Sequence, residues 1–209
     1  MNIFGTQHLA LFMISGLLLN ITPGQDTLYI VGRSVSQGRR AGLLSVLGIV
    51  TGCALHAVAA AFGISAILAT SAHAFAAVKL AGAAYLCYLG VRMLIERTDH
   101  TQETRFAQES GCAIFRAGLL TNVLNPKVAL FFMAFLPQFV SPSAESRVMA
   151  LLFLGAVFIF NGTWWCVILV VSASAMSRRL RAPNAPGVFL KRATGAVFIG
   201  LGVRLAATR

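Results

Sequence analysis

Asp26 and Lys127 are the charges that fit this chain least well. Asp26 closes the run Asn20-Ile-Thr-Pro-Gly-Gln-Asp26, between Leu17-Leu18-Leu19 and Leu28-Tyr29-Ile30-Val31. Lys127 closes Asn122-Val-Leu-Asn-Pro-Lys127 and runs straight into Val128-Ala129-Leu130-Phe131-Phe132. A carboxylate and an ammonium in such surroundings can hold a proton, each other, or the opposite charge of a small solute. Asn20, Thr22, Gln25, Asn122 and Asn125 add neutral donors and acceptors beside them. Each run also carries a helix breaker, Pro23 with Gly24 in the first and Pro126 in the second. Proline lacks an N–H and its ring clashes with the carbonyl four residues back, so each break frees backbone groups. Freed N–H groups at the start of a half-helix suit a carboxylate, and freed carbonyls at the end of one suit an ammonium or cation. A zwitterion with a free α-amino and α-carboxyl group meets both requirements.

The elements that must carry these residues are membrane helices. The 209 residues are 57% hydrophobic and 11% charged, and the mean hydropathy is +0.79. A soluble domain is about half apolar and a quarter charged. Six apolar runs are long enough for about 30 Å of hydrocarbon, at roughly 9–32, 42–69, 74–95, 117–139, 148–176 and 187–205. Residues 1–8 carry no Lys or Arg, so the first run reads as a permanent span rather than a cleaved leader. The net charge of +11 does not call for nucleic acid. Twelve of the 17 basic residues fall between, or in the facing ends of, spans one and two, three and four, and five and six, whereas Arg147, Arg204 and Arg209 lie on the other side. Basic loops stay in the cytoplasm, which predicts a multi-pass protein with both termini outside and a cytoplasmic loop at about 97–113.

The chain also repeats itself. KLAGAAYLCYLGVRML at 79–94 aligns without a gap on KRATGAVFIGLGVRLA at 191–206, an offset of 112 residues. Gly-Leu-Leu-x-Asn recurs at Gly16 and Gly118, an offset of 102, and a proline follows each Asn closely. Two halves, about 1–97 and 98–209, with three spans each must have opposite orientations in the bilayer. The predicted fold is therefore an all-α integral membrane domain over 1–209, six helices arranged as two inverted repeats. The first helix of each repeat is broken at proline. Counted at about 1.5 Å per residue from Arg116 and from Arg33, both breaks lie roughly 15 Å deep, where they can meet. Inverted repeats with broken helices at the midplane are an architecture of secondary transporters.

Other residues point elsewhere or to packing. His56, mid-span, is a candidate proton relay, although a lone His on an Ala-rich helix is more often a hydrogen-bonded core residue. Gly48 and Gly52 suit close helix contact. Trp164 and Trp165 lie deep, which suggests helix packing or cavity lining. Cys53, Cys87, Cys112 and Cys166 show no paired spacing and read as small apolar filler, with no metal site or disulfide framework. No catalytic pattern, metal motif or nucleotide motif appears, so neither an enzyme nor a cofactor is expected.

TPGQDTLYIVGRSVSQGRRAGLLSVLGIVTG followed by GLLTNVLNPKVALFFMAFLPQFV resembles the lysine exporter and homoserine/threonine exporter family, the LysE type, over essentially the whole chain. The resemblance implies a six-span protein of the bacterial inner membrane. It would export amino acids or close derivatives, homoserine-, threonine-, leucine- or lysine-like, driven by protons. By motif match it implies a site at Thr22, Pro23, Gly24 and Asp26 with Asn125, Pro126 and Lys127. The family commonly reads Thr-Pro-Gly-Pro, and Gln25 replaces the second proline here, which relaxes the break or adds a polar contact. The partners expected are the substrate, protons and lipid, with homo-oligomerisation left open. A passive channel or facilitator using the same breaks is the competing reading.

Overall fold

The computed structural model describes residues 4–70 and 108–176, with isolated helical positions between 73 and 91. Among these residues every regular element is helical. The order is α1 Leu9–Ile21, α2 Gln25–Thr70, α3 Gly111–Val123, α4 Pro126–Leu130 and α5 Arg147–Met176, with two tighter or wider turns, Phe131–Phe135 and Leu136–Phe139, following α4. The predicted span at 187–205, most of 74–95 and of the loop 97–113, and the second repeat block at 191–206 lie outside the described residues.

One residue interrupts α2. Gly38 has φ 81° and ψ −175°, a region open to glycine alone. In a straight helix Tyr29 and Ser45 would be about 24 Å apart. Both nevertheless lie against Gly118, so the chain doubles back at Gly38. Residues 25–37 thus continue the span begun by α1, and 39–70 return across the molecule. The sequence predicts a loop through the basic cluster at 33–41, yet a single residue leaves the helical conformation.

The second break bends the chain by 49° between Gly111–Val123 and Pro126–Phe139. Asn125 caps the new helix, its side-chain oxygen accepting the Lys127 N–H at 3.0 Å, and Pro126 occupies the first helical position where no N–H is needed. Farther on, Pro137 cannot donate to a helical partner. There the chain widens into a π-helical turn at Phe131–Phe135, with the Leu136 N–H reaching back to the Phe131 carbonyl, and then tightens into a 3-10 turn.

Two apolar clusters hold these helices. Phe12, Phe131, Phe132, Phe135, Phe139 and Phe158 form the larger, with ring centroids 4.7 Å apart for Phe131–Phe158 and 5.2 Å for Phe12–Phe139. Tyr29, Ile30, Val46, Ile49 and Val170 form the smaller. Glycines set the helix spacing. A methyl on Gly48 would strike the backbone of Phe115 and Leu119, so α2 and α3 meet there main chain to main chain. Outward, Leu28, Leu47, Phe62, Leu124, Phe160 and Trp164 are all exposed. In water so broad an apolar surface is a liability; in a bilayer it is the solvent-facing side. Residues 25–63, which fold back at Gly38, and helix 147–175 each contain an apolar stretch long enough to cross a membrane, and the bent pair at 111–139 makes a third.

The two ends of the molecule differ. At one, the Gln7 N–H donates to the Phe139 carbonyl at 2.7 Å, and the Ser141 N–H to that of Gly5 at 2.8 Å. At the other, Arg33 bonds Glu109 at 2.8 Å and Gln37 at 2.8 Å, and lies over the Tyr29 ring. Arg33 is buried there while Glu109 is exposed.

Candidate functional site

The two breaks lie together, and the carbonyl that each proline leaves without its helical donor has a side chain on it. In an unbroken helix the N–H of residue 23 would bond the Leu19 carbonyl; Pro23 has none. Lys127 Nζ takes that place, donating to the Leu19 carbonyl at 2.8 Å and to the Thr22 carbonyl at 3.0 Å. Thr22 closes the last turn of α1 through its own N–H and hydroxyl, both on the Leu18 carbonyl. An ammonium at the negative end of α1 is also favoured by the helix dipole.

At the second break Pro126 leaves the Asn122 carbonyl without its helical donor. His56 Nε2 lies 3.2 Å from that oxygen, beside the Asn125 N–H at 2.9 Å. A carbonyl only accepts, so the geometry selects the tautomer with the proton on Nε2. The His56 ring stacks on Phe132, with centroids 6.1 Å apart.

Asp26 sits in the first turn of the helix that restarts after Pro23, where the positive dipole end favours a carboxylate. Asn122 Nδ2 donates to its Oδ2 at 2.8 Å. The pattern is a cross-tie. The carboxylate of the first break is held by the second, and the ammonium of the second break caps the first. Asp26 and Lys127 do not pair directly; among the described residues the ion pair within 4.0 Å is Arg33–Glu109.

A small cavity, of about 40 Å³, lies between the breaks. Asn20, Thr22, Gly24, Asp26, Asn125 and Lys127 line it. Asn122 is fully buried behind Asp26. Pro23, Gln25 and Pro126 are exposed and do not line it. Gln25 is the first residue of its helix, where a proline would fit equally well. Two glycines seat the paired asparagines: Gly162 faces Asn20, and Gly52 faces Asn122.

Some of the lining was not legible beforehand. Cys53 and Cys166, read from sequence as filler, form part of the wall together with Thr27. Cys53 directly follows Gly52, the glycine on which Asn122 rests, a contact that the fold alone reveals. Neither Trp164 nor Trp165 lines the cavity, and Trp164 faces outward, its ring 6.3 Å from that of Phe160.

The model of the LysE type translocator family matches residues 17–209. An uncharacterized membrane protein of Vibrio cholerae is 29% identical over 204 residues, covering 95% of this chain and 96% of its own. The uncharacterized membrane protein YrhP of Bacillus subtilis is 28% identical over 94% of this chain and 96% of its own. A leucine efflux protein of Klebsiella pneumoniae is 25% identical over 97% and 96%. No solved structure matches the chain. Apolar helices long enough to span a bilayer and a family match over nearly the full length give one conclusion: this chain is a membrane transporter, not an enzyme, and belongs to the LysE type translocator family.

Proposed function

We propose that this protein is a secondary transporter that exports amino acids or close derivatives across the bacterial inner membrane in exchange for protons. The observation that carries the reading is the cross-tie. Asp26 and Lys127, from opposite halves, each hold the other half's break while lining one cavity. Asn20 on Gly162 and Asn122 on Gly52 repeat the same seating, with the asparagines 102 residues apart, which supports two inverted halves rocking about this site. A bound solute and the two hinges then share the same groups, the requirement for alternating access. The leucine efflux relative supports an amino acid as cargo and efflux as the direction.

Coupling follows from competition. An ionised Asp26 holds a substrate ammonium; a protonated one does not. A proton arriving from the outer side occupies the carboxylate and releases the substrate outward, and the same proton leaves to the cytoplasm before the next substrate binds. Lys127, His56, Cys53 and Cys166 are the other titratable groups around it, and His56 is held away on the Asn122 carbonyl.

The test is flux through purified protein in sealed vesicles, using a panel of labelled amino acids with and without a pH gradient. Gradient-driven uphill movement of an amino acid is the expected result. Downhill leakage indifferent to the gradient would replace the antiporter with a facilitator.

A further inference from the structure

The polar groups around the cavity are incompletely satisfied, and the open positions have an order. Asp26 Oδ2 is taken by Asn122, but Oδ1 is buried with no hydrogen-bond partner. Asn20 Nδ2 is buried with no acceptor. Lys127 Nζ uses two of its three N–H groups, on the Leu19 and Thr22 carbonyls, and keeps one. All three residues line the same cavity. Buried polar groups are normally paired, and exceptions at a cavity mark where a ligand supplies the partner. One open anionic acceptor beside two open donors is the complement of an ammonium beside a carboxylate.

The rest of the wall sets what else the ligand carries. It is mostly apolar, with Ile49, Val50, Phe158 and Ile159 beside the thiols of Cys53 and Cys166, and Thr27 adds one hydroxyl. Among the described residues lining the cavity Asp26 is the one carboxylate, and its open oxygen is already assigned to the α-ammonium. A second cation, on a basic side chain, would face hydrocarbon and thiols with no anion to meet it, the arrangement a binding site penalises most heavily.

Resting on the transport reading above, we infer that this site selects neutral amino acids with apolar side chains and rejects basic ones. Asp26 Oδ1 holds the α-ammonium, Asn20 Nδ2 and the free Lys127 N–H hold the α-carboxylate, and the side chain packs on Ile49, Val50 and Phe158. Asn20 becomes a specificity residue whose position is fixed by Gly162, against which its amide packs.

The experiment is competition against uptake of labelled leucine by the wild-type protein in vesicles. Valine and isoleucine should compete. Lysine, leucine amide (no carboxylate) and N-acetylleucine (no ammonium) should each require at least about tenfold more. A parallel assay of Asn20→Leu should raise the KM for leucine at least about tenfold and leave the weak response to leucine amide unchanged. Lysine competing as well as valine, or leucine amide competing as well as leucine, would overturn the assignment while leaving transport intact. If vesicles move a polar or basic amino acid but none with an apolar side chain, the apolar wall has been misread. If no amino acid moves at all, the transport reading fails and this one with it. The wild-type competition decides the matter even if Asn20→Leu does not fold.

Discussion

Lys127 does at the first break what a backbone amide does in an intact helix. Replacing it with Met leaves two buried carbonyls without donors, at about 1–3 kcal/mol each. Lys127→Met should therefore lower the melting temperature in detergent and abolish transport, while Lys127→Arg recovers part of the stability. His56 does the corresponding work at the second break, and this separates two roles for it. His56→Gln retains a donor for the Asn122 carbonyl, so gradient-driven flux should persist with an unchanged pH profile. Loss of gradient coupling in a well-folded His56→Gln protein would instead make His56 part of the proton path. The residues at issue were legible from sequence because a charge or a proline in an apolar run is conspicuous. Which group caps which carbonyl was not, since that depends on contacts 66 to 108 residues apart. The thiols of Cys53 and Cys166 were missed for a different reason: a small apolar residue looks the same in a sequence whether it faces a core or a cavity.

Glycines rather than side chains set the approach of the helices. A methyl on Gly52 would fall 2.7–2.8 Å from the Asn122 side chain, inside any ordinary contact. Gly52→Ala should displace Asn122 and, through it, Asp26. The expected outcome is a folded protein whose KM rises at least about tenfold, read from saturation curves. Gly38 is required for its backbone, because nothing lies within 4 Å of where its side chain would be. Gly38→Ala should destabilise by about 1–3 kcal/mol with the KM unchanged. The broken first spans were predictable from Pro23 and Pro126 because proline acts locally. The reversal was expected between 33 and 41, but its confinement to Gly38 was hidden: Gln37, Arg39 and Arg40 are good helix formers, and nothing in the sequence says that helix resumes at once on either side of one glycine. The π-helical turn at Phe131–Phe135 was equally invisible, since it arises from Pro137 acting on a turn already packed into an aromatic cluster.

The molecule as a whole carries one end where residues 5–7 meet 139–141 and another where Arg33 meets Glu109. On the orientation we propose from the charge bias, the second end faces the cytoplasm. A membrane-impermeant maleimide added to intact cells should therefore label Ser143→Cys and spare the exposed Cys112 until the cells are opened. The reverse pattern would invert the topology. We propose that one cavity, made where two broken helices are tied to each other, exchanges a proton for an amino acid at Asp26. The most direct test is accumulation of labelled neutral amino acids in inside-out vesicles with an acid interior, comparing the wild type with Asp26→Asn at equal amounts of folded protein. The wild type should accumulate the amino acid uphill and the variant should not. Accumulation by Asp26→Asn at the wild-type level would contradict this proposal.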